Sequence, residues 1–542
     1  MSYVLGVHNS FTAKSHDSSA TLLKNGRVVA AIEEERISRR KSSVGYPASN
    51  AIRECLKIAG IEINEVSLVI SDGITYPNMV EKLRKFLTSE FGYSPLIELI
   101  NQATAHSFGS FISSGFQEAL VVSVDAVGDK VSTQISHSKK GPTEPSNILN
   151  TIHESGEGKS LGYFYSAFTQ YLGFESLEGE YKVMGMAAYA EPTVDLNHLL
   201  YFDQQVGQIE SNLSNYYNPN QTSIAESCVD IESIFKLTKV ERRLPRQVFR
   251  PEHFQLASSV QNTFTNSYLD LIKYWLNKTQ ARYLCLSGGC ALNALANMSL
   301  LDLNLDGIYI MPAASDRGVS MGCAQWGSAL IGESPSKPSD MYLGREFTDL
   351  QIKNELEQCG IPYEKNSNIF ESASQDLEQG KILGWFQGRS EFGPRALGNR
   401  SILANPRIKN IKDKLNSKIK FREEFRPFAP AILFESFSHP SKNMADFSSM
   451  TITLKIDDKQ AQFFPGGVHS DFTSRIQLVQ SKENSFGKLL TQVEQLSGHP
   501  SLINTSFNLR GEPIVDSPSD AIRTFYSSGI DVLYIGNYRL KK

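Results

Sequence analysis

SYVLGVHNSFTAKSHDSSATLLKNGRVVAAIEEER, residues 2–36, decides how the first part of the chain folds. Tyr3–Val7 is an apolar run of strand length, and HNSFTAKSHDSSA (8–20) leaves it as a polar loop. Ala20–Leu23 and Val28–Glu33 flank Asn25-Gly26, the dipeptide that tolerates both left-handed positions of a tight hairpin turn. The stretch therefore predicts a strand, a serine- and aspartate-rich loop, and a hairpin of two further strands.

Outward from this opening, helical and strand patterns alternate. Ala48–Ala59 is an amphipathic helix stopped by Gly60, Val66–Ser71 is a strand ending at Asp72, and Asn78–Glu90 is helical. Ala119–Val124 is a strand that delivers Asp125 and then Gly128-Asp129. The long helix Phe254–Asn277 precedes strands Tyr283–Ser287 and Ile308–Met311. Such alternation predicts an α/β protein. A carboxylate at the end of an apolar strand is where open sheets place ligands, although a turn or helix cap accounts for Asp125 equally well. His106 alone reads as a satisfied histidine; with Asp125 it makes a workable set for a divalent metal. Gly288-Gly289 turning into a helix by Asn293 suits an anion or nucleotide.

Composition bounds the rest. A chain of 542 residues is too long for one core, so two or three domains are expected. GESPSKPSDMYLGREFT (332–348) reads as the linker, which sets the domains at 1–340 and 349–542. The polar region 190–250, including SNLSNYYNPNQTS, reads as a variable insertion bearing acceptor specificity. The net charge of −4 disfavours nucleic acid as a partner. Six scattered cysteines without a CxxC pair point to a reducing compartment. No secretory leader and no apolar run near the roughly 20 residues that span a bilayer are seen, so the expected location is cytoplasmic, without a membrane partner. No internal repeat is legible.

Two basic stretches remain. EFGPRALGNRSILANPR (391–407) carries Arg395, Arg400 and Arg407 with Asn399, and KIKFREEFRPFAP (418–430) carries Lys418, Lys420, Arg422 and Arg426. Phenylalanines, leucines and prolines interleave with these charges, so the cations are half buried and need anionic partners. A polyanion site follows, a nucleotide or an acyl phosphate. EEERISRRK (33–41) reads instead as a solvated charged segment with pairs four residues apart.

These segments together resemble the O-carbamoyltransferases of the NodU and cephalosporin/tobramycin type. The resemblance is carried by HDSSA (16–20), EEERISRRK (33–41), EGEYKVMGMAAY (178–189), LSGGCALNALAN (286–297), PAASDRGVSMGCA (312–324), EFGPRALGNRSILANPR (391–407), KFREEFRPFAP (420–430) and NTSFNLRGEPIV (504–515), in family order across essentially the whole chain. It implies an N-terminal domain with the actin-like ATPase fold, similar to the threonylcarbamoyl-transfer protein, to which the opening hairpin is suited. It implies a C-terminal YrdC-like α/β domain. The expected reaction joins ATP and carbamoyl phosphate into carbamoyl adenylate in the C-terminal domain. Transfer to a hydroxyl of a small, natural-product-like metabolite follows in the N-terminal domain. An amine acceptor, or another acyl transfer, is the alternative. A homodimer is compatible with the resemblance.

By matching motif, Arg395, Arg400, Lys420, Arg422, Arg426 and Arg475 are expected to stabilise the adenylation step, and Asn399, Asn504, Ser506 and Asn508 to touch the nucleotide or carbamoyl group. His16, Asp17 and Lys41 match positions lining the transfer site, with Gly288, Gly289 and Asn293 on its nucleotide side. The metal set matches His106, Asp125 and Asp316. The family's first ligand histidine is here Gln102, a weaker and harder ligand than imidazole. The site then takes Mg²⁺ or Mn²⁺ rather than iron, binds metal only with the nucleotide, or works without one. Phe472 stands where the family usually has glycine. A scaffold without activity is disfavoured because unused buried cations are costly, and a kinase reading leaves residues 391–515 unexplained.

Overall fold

The computed structural model describes residues 2–12, 15–141, 144–215, 229–481 and 484–542. The stretch 216–228 of the predicted insertion lies outside the described residues. The chain divides into two compact units. Unit 1 comprises residues 1–31, 43–339 and 443–445; unit 2 comprises 32–42, 340–442 and 446–542.

In unit 1 the opening behaves as its pattern predicts. Tyr3–His8 is fully buried, Ser19–Lys24 pairs antiparallel to it, and Arg27–Glu33 follows through Asn25 (φ 48°) and Gly26 (φ 77°). Tyr3–His8 also pairs parallel with Leu68–Ser71, which pairs parallel with Leu96–Leu99. The sheet order is therefore third, second, first, fourth, fifth strand. A second sheet repeats it. Glu118–Gly128 is central, Val131–Lys139 and Leu149–Gly156 extend it antiparallel on one side, and Tyr283–Ser287 and Gly307–Ile310 extend it parallel on the other. This five-strand arrangement used twice is the actin-like topology. The repeat that the sequence hides is present in the backbone.

The carboxyl ends of the parallel strands deliver the functional groups, as open sheets do. His8 closes the first strand and Asp72 follows the fourth. Asp125 lies not after its strand, as predicted, but inside Glu118–Gly128, where the pairing register shifts between Val124 and Gly128. Such a bulge re-aims a side chain. Asp316 follows Gly307–Ile310 in the turn before helix Val319–Leu330. The Gly288-Gly289 turn leads into a helix as predicted: a tight turn covers Gly289–Leu292 and Ala294–Met298 is α-helical.

Unit 2 is an eight-stranded mixed sheet covered on both faces. Its middle strands are Val532–Ile535, Leu383–Phe386, Arg400–Ala404 and Ser501–Ser506. Neighbouring residues on one strand feed different cores, because side chains alternate across a sheet. Ile402, Ile503 and Leu533 join a core with Leu356 and Phe525, from helices Asp349–Gln358 and Pro518–Tyr526. Leu403, Leu502 and Tyr534 join another with Leu377 and Leu489, from helices Ile369–Glu378 and Ser485–Ser497.

One expectation is overturned here. EEERISRRK is not a solvated segment: Glu33, Glu34, Glu35 and Arg36 are all buried, and residues 32–42 belong to unit 2. Among the described residues, no helix is long and apolar enough to cross a membrane.

Helices Gln102–Ser114 and Val319–Leu330 pack so closely that a Cβ on Gly322 would lie 1.9 Å from the Ala105 carbonyl oxygen. Gly322→Ala must push these helices apart, at a cost of about 1–3 kcal/mol. A lowered thermal midpoint is expected, whereas Gly158→Ala, whose new Cβ meets nothing within 4 Å, leaves it in place.

Candidate active site

In unit 1 the side chains converge on Asp316. His106, at the start of helix Gln102–Ser114, brings Nε2 to 3.6 Å from Asp316 Oδ1 and 3.3 Å from Asp125 Oδ2. Gln102, one turn earlier, donates from Nε2 to Asp316 Oδ1 at 2.8 Å. The four residues of the predicted metal set are thus together. Ligand atoms of His106, Asp125 and Asp316 all lie within 4.8 Å of one another.

The His106 ring is oriented from behind, with Nδ1 3.2 Å from Ser287 Oγ, so Nε2 faces the carboxylates. Burial opposes charge on His106, but the Asp125 and Asp316 carboxylates facing Nε2 outweigh it and raise its pKa to about 9. Burial likewise opposes ionisation of Asp316, and the imidazole of His106 facing it, with His16 and His8, holds it well below the usual carboxylate range. Buried His106 Nε2 and Asp125 Oδ2 have no hydrogen-bond partner among the described residues. These two orphaned atoms facing the Asp316 carboxylate fit a divalent cation, which would take the place of the imidazole proton.

Around this centre lies a frame that includes His16 and Asp17, both expected at the transfer site. His8 presents Nδ1 to Asp72 at 2.9 Å and Nε2 to the His16 carbonyl at 3.0 Å. Burial works against its charge, but Asp72 outweighs it and raises the His8 pKa to about 10. His16 lies 3.8 Å from Asp316 Oδ2. Asp17 holds a left-handed φ of 59° and pairs with Arg317 at 2.8 Å. Arg317 overcomes burial and keeps the Asp17 carboxyl below its ordinary value. Asp129 accepts from the backbone N–H of Gly73, Thr75 and Gln102 at 2.9, 3.1 and 2.9 Å, which ties the start of the His106 helix to the loop after Leu68–Ser71. His16 and Asp17 are expected from the resemblance, Asp72 and Asp129 carry a signal as acids beyond apolar strands, and His8 and Arg317 carry none.

Gly288 turns the chain at φ 85°, and Gly289 approaches Asp125 so closely that a Cβ would stand 3.0 Å from Oδ1. Asn293 caps the next turn by accepting from Ala296 N at 3.0 Å and exchanges hydrogen bonds with Gln261.

The basic residues of unit 2 sort into two roles. Lys420 Nζ donates to Ser506 O, to Ser506 Oγ at 3.2 Å, and to Asn508 O and Oδ1 at 3.1 and 2.8 Å. Burial first, then Arg422, Arg426 and Lys41, push its pKa far down. Burial, then Arg395, Arg422 and Arg426, do the same to Arg475, whose Nε has no hydrogen-bond partner among the described residues. For both groups the charged neighbours that act most strongly are cations. Lys41, expected at the transfer site, is placed by the structure in unit 2, within the field of Lys420.

Arg400, Asn399 and Asn504 instead hold the loop. Arg400 is fully buried, lies 3.7 Å over the Phe386 ring, and donates to the carbonyls of Gln387, Asn399, Arg345 and Gly388. Burial lowers its pKa to about 10. Asn399 donates to Arg389 O at 2.8 Å, and Asn504 to Ala396 O at 3.1 Å and Gln477 Oε1 at 2.7 Å. Glu391 Oε1 gathers the N–H groups of Leu397, Asn399 and Arg400 at 2.8, 2.8 and 3.1 Å. Phe472 keeps a left-handed φ of 58° with its ring exposed, a conformation suited to the glycine it replaces.

Residues 4–94 and 79–325 match the family described as Carbamoyltransferase N-terminus, and residues 374–542 match Carbamoyltransferase C-terminus. This chain belongs to the carbamoyltransferase family. It is 33% identical to an uncharacterized protein of Synechocystis over all of this chain and 97% of that one. It is 31% identical to the nodulation protein NolNO of Sinorhizobium fredii, over 97% of this chain and 79% of the relative. It is also 31% identical to the 3'-hydroxymethylcephem-O-carbamoyltransferase of Amycolatopsis lactamdurans, over 47% of this chain and 48% of the relative. This carbamoyltransferase is accordingly a transferase.

Because imidazole is a stronger ligand than an amide for first-row metals, Gln102→His is expected to raise bound metal per chain, measured by elemental analysis. An unchanged content removes residue 102 from the coordination sphere.

Proposed function

We propose that this carbamoyltransferase is an ATP-dependent O-carbamoyltransferase working in two steps. In unit 2, read as the YrdC-like domain, carbamoyl phosphate, water and ATP give carbamoyl adenylate, and inorganic phosphate and pyrophosphate leave. In unit 1 the carbamoyl group passes to a hydroxyl of a small metabolite. The observation that carries this reading is the crowding of like charge around Lys420 and Arg475. Buried cations whose strongest charged neighbours are cations are costly until a polyanion arrives. Two phosphorylated substrates brought together are such a polyanion.

In the second step His106, Asp125 and Asp316 would hold a divalent ion that polarises the carbamoyl carbonyl or neutralises the adenylate phosphate. The chain's own groups do the rest. His16 is the most open of the three histidines near Asp316, with a side chain 18% exposed against 5% for His8 and 2% for His106, so proton movement at the acceptor is assigned to it. Arg317 fixes Asp17 beside His16. Keeping both steps on one chain shields a water-sensitive intermediate. Gln102 on Asp316 favours retaining a second reading, in which the first step is the same and the acceptor is an amine or the acyl transfer differs.

Carbamoyl-phosphate-dependent ATP–pyrophosphate exchange is expected from the purified protein, and its absence overturns both readings. Arg475→Ala should slow exchange by about 10²-fold or more, while His106→Ala leaves exchange in place and abolishes transfer. Mass spectrometry then separates a carbamate product from a urea.

A pH effect follows as well. The Lys420 ammonium, held below its ordinary pKa, rises again when a polyanion binds. Binding of ATP therefore takes up a proton, and affinity falls as pH increases. Calorimetry at about pH 8.5, where ATP itself is fully ionised, in two buffers of different ionisation heat, should show this uptake. Lys420→Arg, whose guanidinium stays protonated, should bind ATP without it.

A further inference from the structure

Within the segment 32–42, buried Glu33 and Arg36 have no part in the chemistry so far, yet they grip one residue of the basic loop from both sides. Glu33 Oε1 accepts the Gly393 N–H at 2.5 Å, and Arg36 Nη2 donates to the Gly393 carbonyl at 2.6 Å. Arg36 Nε closes the ring onto Glu33 Oε2 at 2.6 Å. Both clamping side chains are buried, at 2% exposure, and both belong to unit 2 with the loop. The partners are 360 and 357 residues apart in sequence, so chain proximity does not account for the contact.

Gly393 is a position where such a hold matters. Its φ of 118° is open to glycine and disfavoured for other residues, so the turn has freedom to lose. Pro394 follows with a fixed φ, and Arg395 comes next. Pinning both polar ends of Gly393 therefore fixes the start of a stiff link whose far end is Arg395. Arg395 is also the neighbour whose charge acts most strongly on Arg475.

We infer that Glu33 and Arg36 are positioning residues for Arg395, holding the Gly393-Pro394 turn so that the Arg395 guanidinium meets the nucleotide phosphates beside Arg475. The inference rests on the reading of this cluster as the ATP site. A lysine at 36 cannot donate to Glu33 and Gly393 with the geometry of a guanidinium fork.

The test is a double-mutant cycle on MgATP affinity, measured by calorimetry on the full chain, with Arg36→Lys and Arg395→Ala alone and combined. Arg36→Lys is expected to weaken binding about tenfold in the parent chain. In the Arg395→Ala background it should cost less than about twofold, since the residue it positions is gone. A merely structural role gives the same loss in both backgrounds, and that result overturns the inference while leaving the ATP site standing. A parent chain that binds no MgATP overturns the ATP-site reading itself, and the inference with it. Glu33→Gln, which keeps an oxygen for the Gly393 N–H but loses the charge that holds Arg36, is run through the same cycle with the same expected non-additivity. It decides the matter if Arg36→Lys lowers the thermal midpoint enough to prevent measurement.

Discussion

Repulsion among buried cations is the constraint on which unit 2 depends. Lys420 and Arg475 are each depressed by burial and then by other positive groups. An isolated domain would relieve that by burying carboxylates among them or turning the arginines outward. Here Glu423 pairs with Arg426 at 3.6 Å, and the acids beside Arg400 are engaged with the loop. Glu391 gathers three backbone N–H groups, and Asp516 pairs with Arg345 at 2.5 Å and accepts from Ser390 Oγ at 2.9 Å. The frame is neutralised so that the centre is not. Arg400 belongs to the frame, its guanidinium facing four backbone carbonyls. Arginine content in a motif therefore overcounts the residues that meet a ligand.

Unit 1 solves the reverse problem. Three carboxylates, Asp72, Asp125 and Asp316, are brought close by strands of two sheets of the same topology, and histidines separate them. The bulge in Glu118–Gly128 and the close packing at Gly322 are local departures that make this possible, the first aiming Asp125 and the second seating the His106 helix against Val319–Leu330. Gln102 enters as a donor to Asp316, so its amide faces the carboxylates.

Much of this was readable from the chain alone. Asn25-Gly26 announced the hairpin, strand-end acids marked Asp125, and aromatic residues among the arginines of 391–430 announced burial of charge. What was hidden is instructive. Glu33–Arg36 read as solvated because a run of acids and bases has no apolar period, and its partner, Gly393, is some 360 residues away. His8 and Arg317 are single residues whose meaning lies in Asp72 and Asp17. The twofold repeat of the sheets escaped notice because Leu149–Gly156 and Tyr283–Ser287, adjacent steps in the second sheet, are separated by more than a hundred residues of helix and polar chain. Lys41 matched a motif by position, but its placement follows from the fold of 32–42 with unit 2.

That fold of 32–42 also governs the order in which the molecule can be made. Synthesis proceeds from the N-terminus and domains tend to fold as they emerge. Residues 32–42 leave the ribosome some 350 residues before the loop they hold. Throughout that interval Glu33 and Arg36 await a partner that does not yet exist, while the hairpin just before them is already free to form. A fragment begun at Asp340 would carry the whole eight-stranded sheet and still leave Gly393 ungripped. The second unit is thus contiguous in space but not in the gene, and a separately expressed copy would need the early segment supplied in trans.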